Sequence, residues 1–330
     1  MSAAHMFVEY AADLYRSCLL TAAYFTSLAP AIFYRKGVFH LNAKNKDALY
    51  GYLYILPSFL LLLIFSIIPI FLSVYFSFTE YNVIQSPTWV GLNNYIRMLK
   101  DPFVTAALKN TVIYTLISVP LQTILSLVIA ALIAGEFRNT YGNFLKSAMF
   151  VPVISSAILV GTLWGLMLTT DGGLINNVLA LFGIGQINWL GSIKTSLISV
   201  CITAVWKNIG YFLVIFYAGI LDIPSSHYEA SKVDGASGWQ QFWYITIPQL
   251  KPITYLVITL GMIWSFQVFD LVYVMTGGGP GKSTTTLVLY IYTTAFREYS
   301  MGYASSIAFL MFIVIILLNS LQNLLFRERN

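Results

Sequence analysis

Apolar residues in this chain gather into long unbroken runs and do not alternate with polar ones. Six runs stand out, at approximately 53–78, 106–134, 147–168, 195–219, 253–275 and 304–325. A bilayer core of about 30 Å takes roughly 20 helical residues to cross, and lipid offers a spanning backbone no partner outside its own segment. A barrel strand would alternate at every residue. The pattern therefore predicts an all-α membrane protein with six core transmembrane helices. Composition agrees: 58% of residues are hydrophobic and 9% charged, with a mean hydropathy of +0.75. Soluble domains carry about 25% charge, so this chain cannot cover itself with a hydrated surface.

Lysines and arginines sit at the ends of the runs, where they set orientation. With the N-terminus inside, the cytoplasmic side carries eleven of them: Arg16, Arg35, Lys36, Lys44, Lys46, Arg138, Lys146, Lys232, Lys251, Arg327 and Arg329. The outer side carries six: Arg97, Lys100, Lys109, Lys194, Lys282 and Arg297. Both termini are thus expected in the cytoplasm. No basic cluster interleaved with aromatics appears, so the net charge of +5 reports topology and not nucleic-acid binding. Residues 1–50 form an N-terminal extension whose apolar stretch, 18–34, is short and interrupted by Pro30. An interfacial helix is expected there, with a seventh span as the alternative. The start lacks the basic head and small-residue cleavage site of a signal peptide. Residues 51–326 make the transmembrane domain, and 327–330 a cytoplasmic tail. In the outer loops, 80–105 reads as a turn followed by a short amphipathic helix. A second surface helix is expected in 170–192, after Asp171-Gly172-Gly173.

The most polar interruption is the loop 222–251. Pro224 cannot continue the preceding helix, Ser225 and Ser226 can cap a new one, and Gly235 permits a turn that a side chain would obstruct. A second short helix, SGWQQFWYITI, is expected to stop at Pro248. Helix, glycine bend and helix, tethered at both ends to spans, make a knob projecting into the cytoplasm. Its bulky face, with Tyr228, Trp239, Phe242 and Trp243, either packs on the ends of neighbouring spans or plugs a groove in a partner protein.

The spacing in EASKVDGASGWQQFWYITIP, at 229–248, resembles the coupling loop of ABC-importer permeases, E-A-A-x3-G-x9-I-x-L-P. The tracts WKNIGYFLVIFYAGILDIP at 206–224, TGGGPGKSTTTLVLYIYTTAF at 276–296 and GYASSIAFLM at 302–311 are similar to permease subunits of type I carbohydrate importers, the maltose-type and glycerol-3-phosphate-type family. The likeness covers roughly residues 50–326. Ser231 stands where the family usually has alanine, and Ile247 where it has leucine. The resemblance implies a transmembrane permease subunit of an ATP-driven ABC importer for oligosaccharides, forming half of the translocation path. Coupling to the ATPase would run through Glu229, Ala230, Ser231, Gly235, Ile245, Ile247 and Pro248. It also implies a second, related permease as heterodimer partner, two ATPase subunits that bind ATP and Mg, and a periplasmic or lipid-anchored sugar-binding protein. No cofactor belongs to this chain itself, and the location is the bacterial inner membrane.

An ionisable group inside a span is costly and marks a functional hypothesis. Lys207 and Asp270 are two such groups, with Asn208, Tyr211, Trp264, Ser265 and Gln267 near them in sequence. Lys207, Asn208 and Tyr211 share a helix face. The stripe serves either interhelical hydrogen bonding or a sugar site in which amides and hydroxyls meet ring hydroxyls and an aromatic ring stacks. The resemblance places the family's membrane sugar site on these same two helices. Lys207 hints at an acidic sugar, either a uronate oligomer or a small sugar phosphate. The alternative of another class, an ion-driven secondary carrier, calls for matching broken spans, which the sequence does not display. GGGPGKST at 277–284 is no Walker A motif, because position 276 is threonine and the segment lies outside. Scattered histidines (His5, His40, His227), and the two cysteines, Cys18 and Cys201, in separate apolar runs, suggest neither metal site nor disulfide. The chain is not expected to be an enzyme.

Overall fold

A computed structural model of the chain describes residues 43–136 and 140–326. The helix expected at 18–34, with Cys18, His5 and His40, and the tail at 327–330 lie outside the described residues. The chain divides into two compact units between Leu72 and Ser73. The first holds helix α1 (Ala43–Leu62), a π-helical turn, Leu63–Ile67, and the start of α2 (Ile68–Ser77), whose remainder from Ser73 belongs to the second unit.

In the second unit, a small antiparallel hairpin of β1 (Thr79–Glu80) and β2 (Thr88–Trp89) precedes α3 (Asn93–Lys100). Then come α4 (Pro102–Glu136), α5 (Thr140–Ile154), α6 (Ala157–Met167), α7 (Leu174–Leu181) and α8 (Ser196–Leu221). Both short helices foreseen in 80–105 and 170–192 are present, as α3 and α7. With 35 residues, α4 is about 52 Å long at 1.5 Å per residue, well beyond the roughly 30 Å of a hydrocarbon core.

Two of the six expected spans are broken. The run 147–168 folds as α5 and α6, bent by 98° at Ser155–Ser156. Pro152 lies in the last turn of α5, where its missing amide and its ring weaken the helix. The carbonyls left without amide partners at such an end must find others. The Ser155 hydroxyl donates to Val151 O at 3.0 Å, and the Lys207 ammonium donates to Val153 O at 3.3 Å. The run 253–275 divides into α12 (Lys251–Phe266) and α13 (Asp270–Met275); in the gap, Val268 O accepts from the Thr286 hydroxyl at 3.1 Å. Among the described residues, four unbroken helices remain long and apolar enough to cross a membrane: Gly51–Ser77, Pro102–Gly135, Ser196–Leu221 and Met301–Leu324.

Of the long helices in the second unit, α8 is the most enclosed. One end packs with Tyr114 of α4, Val160 of α6 and Leu271 and Val272 of α13. The other end, through Phe212, Leu213 and Phe216, packs with Ala130 and Ile133 of α4 and Val257 of α12. Gly210 sets the approach of α5: a Cβ there would lie 2.0 Å from the carbonyl oxygen of Met149. On the neighbouring side, the buried Ser126 hydroxyl of α4 donates to Ile209 O at 3.0 Å.

A third core joins α3 and α4 to α14 (Leu287–Tyr292) and α15 (Met301–Phe326). Its polar lock is Asp101, between α3 and α4. Its Oδ2 accepts from the Tyr290 hydroxyl at 2.6 Å and the Tyr303 hydroxyl at 2.7 Å, and its Oδ1 accepts from Phe103 N at 2.7 Å. Burial pushes the Asp101 carboxyl up, but hydroxyl and backbone donors outweigh it and hold the group below its ordinary value of 3.8.

Two outcomes follow from this packing. Gly210→Ala should destabilise the assembled protein by about 1–3 kcal/mol, the usual cost of overpacking. Gly165→Ala, with nothing within 4 Å of its added Cβ, should be neutral; thermal unfolding in detergent compares them. Asp101→Asn should cost about 1.5–3 kcal/mol at neutral pH, the scale of hydrogen bonds to a charged group. A carboxyl held low stabilises the fold above its unfolded-state value near 3.8 and ceases to do so as pH falls through its folded value. The gap between wild type and Asp101→Asn should therefore close in acid.

Candidate functional site

The loop between α8 and α12 folds as the bent knob foreseen from its sequence. Helix α9 (Ser225–Val233) begins after Pro224. Ser225 and Ser226 are not its caps, since both lie inside the first turn and Pro224 occupies the capping position without a side-chain bond. The helix ends in a Schellman motif: Ala236 N donates to Ser231 O at 2.9 Å and Gly235 N to Lys232 O at 3.1 Å. This motif needs a left-handed residue after the cap, and Gly235 supplies it with φ of 79°.

Helix α10 (Gly238–Gln241) opens with a capping box of Ser237 and Gln240. This S-x-x-Q signature is legible in the sequence. A π-helical turn, Phe242–Thr246, and α11 (Ile247–Gln249) continue the element, so Pro248 does not end it. Proline is tolerated there because it lies at the start of α11. Breakage falls instead at Leu250.

Side chains tie the two limbs together. Gln241 Nε2 donates to Ser231 Oγ at 2.9 Å and to Tyr228 O at 3.2 Å, and the Tyr228 hydroxyl lies 2.9 Å from Thr246 Oγ1. Ser231 is thus more than a small replacement, since its hydroxyl is a joint of the bend. Tyr228 and Ile245 pack back onto the ends of α4, α8 and α12. Glu229, Ala230 and Pro248 are exposed, and Ile247 is half-buried. Trp239 and Trp243 remain 69% and 49% exposed, each touching the other and Phe242 at 5.7–6.0 Å between ring centroids. A groove of about 1400 Å³ separates these rings from the Ile124–Leu132 face of α4.

The second set of residues gathers near the break between α5 and α6. Lys207 points to that break through Val153 O, and Asp270, at the first turn of α13, is near enough to act on it electrostatically. Asn208 and Tyr211 lie half-buried on the same side of α8. Tyr211 packs on Trp264 of α12 at 4.8 Å between centroids. Gln267 and Asp270 are exposed, whereas Ser265 is 5% exposed, so it belongs to helix packing and not to an open path. Sequence reasoning missed Trp206, next to Lys207 in the chain, and Trp164 of α6, which meet edge to face at 5.6 Å. Their signal was only a tryptophan next to the intramembrane lysine.

A mid-span ammonium costs about 2.5–3.5 kcal/mol on insertion scales. One hydrogen bond to a charged group returns about 1.5–3 kcal/mol. Lys207 is thus held in the membrane mainly by the broken helix end, with donor capacity left for a further acceptor.

Residues 103–329 match the family described as the binding-protein-dependent transport system inner membrane component. A probable ABC transporter permease protein, YurN, of Bacillus subtilis is 33% identical over 286 residues, covering 86% of this chain and 98% of that protein. The trehalose/maltose transport system permease protein MalF of Thermococcus litoralis is 33% identical over 277 residues, covering 83% and 92%. In fold, the chain is similar to a subunit in the crystal structure of a bacterial ABC transporter involved in import of the acidic polysaccharide alginate. That match has a TM-score of 0.75 at 21% identity and covers 87% of this chain and 97% of that one. Broken spans, which the sequence hid, do not make this an ion-driven carrier: over most of its length, the chain belongs to the inner-membrane permease family of binding-protein-dependent ABC transporters.

Proposed function

We propose that the chain is one permease half of an ATP-driven importer for oligosaccharides, coupled to its ATPase through the knob at 222–251. The observation that carries this reading is connectivity. The knob is the direct link between α8, which bears Lys207, Asn208 and Tyr211, and α12, which bears Trp264. A force on the knob therefore reaches both walls of the candidate sugar site through backbone. The Schellman turn at Gly235 and the Gln241–Ser231 bond make it a stiff handle. Trp239 and Trp243, too apolar to stay fully wet, supply the surface a partner groove would cover.

In this account Glu229 and Ala230 lie against one of two ATPase subunits, which hold ATP and Mg. A second, related permease completes the path, both termini face the cytoplasm, and a sugar-binding protein delivers substrate from outside. ATP-driven closure of the ATPase pair moves the knobs as rigid bodies, turning the helices from inward- to outward-facing. The name of the trehalose/maltose relative supports the sugar class. Within it, Tyr211 and Trp264 offer rings for a pyranose face, Asn208 offers amide groups, and the spare donors of Lys207 favour a substrate bearing a carboxylate or phosphate.

In proteoliposomes holding both permeases and the ATPase, a binding protein loaded with the transported saccharide should stimulate ATP hydrolysis. Gly235→Val, which forces a β-branched residue into the left-handed turn, should cut that stimulation about tenfold, or roughly 1.4 kcal/mol of coupling. Unchanged stimulation would contradict coupling through the knob. Lys207→Met should raise KM for an acidic saccharide about tenfold, the loss of one charged contact, and leave a neutral one unaffected. An equal loss for both would assign Lys207 to holding the break in the span. No loss for either would remove it from the site.

A further inference from the structure

Beyond Asp270, toward the outer loops, runs a chain of ring contacts that no role above employs. Phe269 stacks on Tyr273 at 5.2 Å between centroids, with planes 23° apart, and meets Tyr292 at 5.0 Å. Tyr273 and Tyr292 are 5.7 Å apart, and Tyr292 meets Phe296 at 5.5 Å. Arg297 closes the row: its Nη2 donates to the Tyr273 hydroxyl at 3.3 Å, and its guanidinium lies 5.8 Å from that ring's centre. Phe296 is 60% exposed and Tyr273 38%, and Arg297 is also exposed.

Rings at a membrane boundary commonly form an aromatic belt against lipid headgroups. Asp270 argues for another use. It stands three residues before Tyr273, on the same face of α13, and it is exposed. A carboxylate directed at acyl chains is costly, so that face looks onto water or protein. Phe269 packs against the same buried cluster as Trp164, whose ring meets Trp206 next to Lys207, and the row leads in the chain to the loop 276–286 that separates α13 from α14.

We propose that Phe269, Tyr273, Tyr292 and Phe296, with Arg297 at the end, form an outer binding strip for an oligosaccharide. The apolar C–H faces of successive pyranose units stack on the rings, and Arg297 donates hydrogen bonds to their oxygens. This rests on the oligosaccharide-importer reading and extends it: one unit sits at Tyr211 and Trp264, and the units behind it lie on the strip. The strip then matters for long substrates and not for short ones.

The test uses the reconstituted complex with maltopentaose and an alginate pentasaccharide, each beside its disaccharide. For the pentasaccharide that is taken up, Tyr273→Ala with Phe296→Ala should raise KM about three- to tenfold, the scale of lost ring contacts. The disaccharide should keep its KM. Separately, with Cys18→Ala and Cys201→Ser in place, Phe296→Cys should react with a membrane-impermeant maleimide added outside, and saccharide-loaded binding protein should slow the reaction. Uptake of none of the four sugars would contradict the oligosaccharide reading itself. Uptake with an unchanged pentasaccharide KM, or a Phe296→Cys that stays unlabelled, would overturn the strip while leaving the importer reading intact.

Discussion

The close seating of α8 against α5 is the constraint on which the other features depend. At Gly210 the backbone of α5 comes so near that a single added methyl would collide with Met149 O. On another side, Ser126 of α4 reaches across to Ile209 O. In a membrane there is little hydrophobic drive to press helices together, so small residues and buried hydroxyls do it. These two contacts, one residue apart, fix α8 between its neighbours both along its axis and in rotation. That rotation places Lys207, Asn208 and Tyr211 toward the broken span and toward Trp264, and it places Phe212, Leu213 and Phe216 in the core.

The break in the third span has its own local cause. A proline near the end of α5 removes a donor, and the chain turns through 98°. Such a turn inside a bilayer is tolerable only where it lines protein or a water-filled cavity. Here the exposed carbonyls of α5 are met by the Ser155 hydroxyl and the Lys207 ammonium. The lysine solves a structural problem and, by the same position, brings positive charge to the break. Asp270 opens α13 beyond the gap in the fifth span, where a carboxylate is favoured by the helix N-terminus. Each break thus has a charged residue beside it: Lys207 of α8 at the first and Asp270 at the second.

Much of this was legible in the sequence. Long apolar runs located the helices, and the spacing of Glu229, Gly235 and Pro248 located the knob, because glycine in a left-handed turn leaves a mark that composition alone does not. The breaks were not legible. Pro152 lies within a long apolar run, and the polar residues around the Gln267–Phe269 gap read equally well as a ligand stripe on a continuous helix; hydropathy measures transfer into lipid, not the direction of an axis. Ser225 and Ser226 are not caps because Pro224 already occupies the capping position, while Ser237 with Gln240 makes the capping box. Ser265 shares its stretch of chain with Trp264 and Gln267, yet points into packing; one residue of helix turns a side chain by about 100°, and only the neighbours decide which of three faces meets the path. The Ser231–Gln241 bond joins residues ten apart across a bend, a contact no local pattern announces.

For a push on the knob to reach the candidate sugar site, the knob and α8 must move as one rigid body. Spin labels at Ala230→Cys in the knob and Lys194→Cys before the outer end of α8, in the complete reconstituted complex with the native cysteines replaced, measure this directly. The distance between them should be the same in the nucleotide-free state and with ATP trapped. A distance that changes on ATP binding would mean that the knob swings at Pro224 independently of the helix, and the mechanical link from ATPase to sugar site would be contradicted.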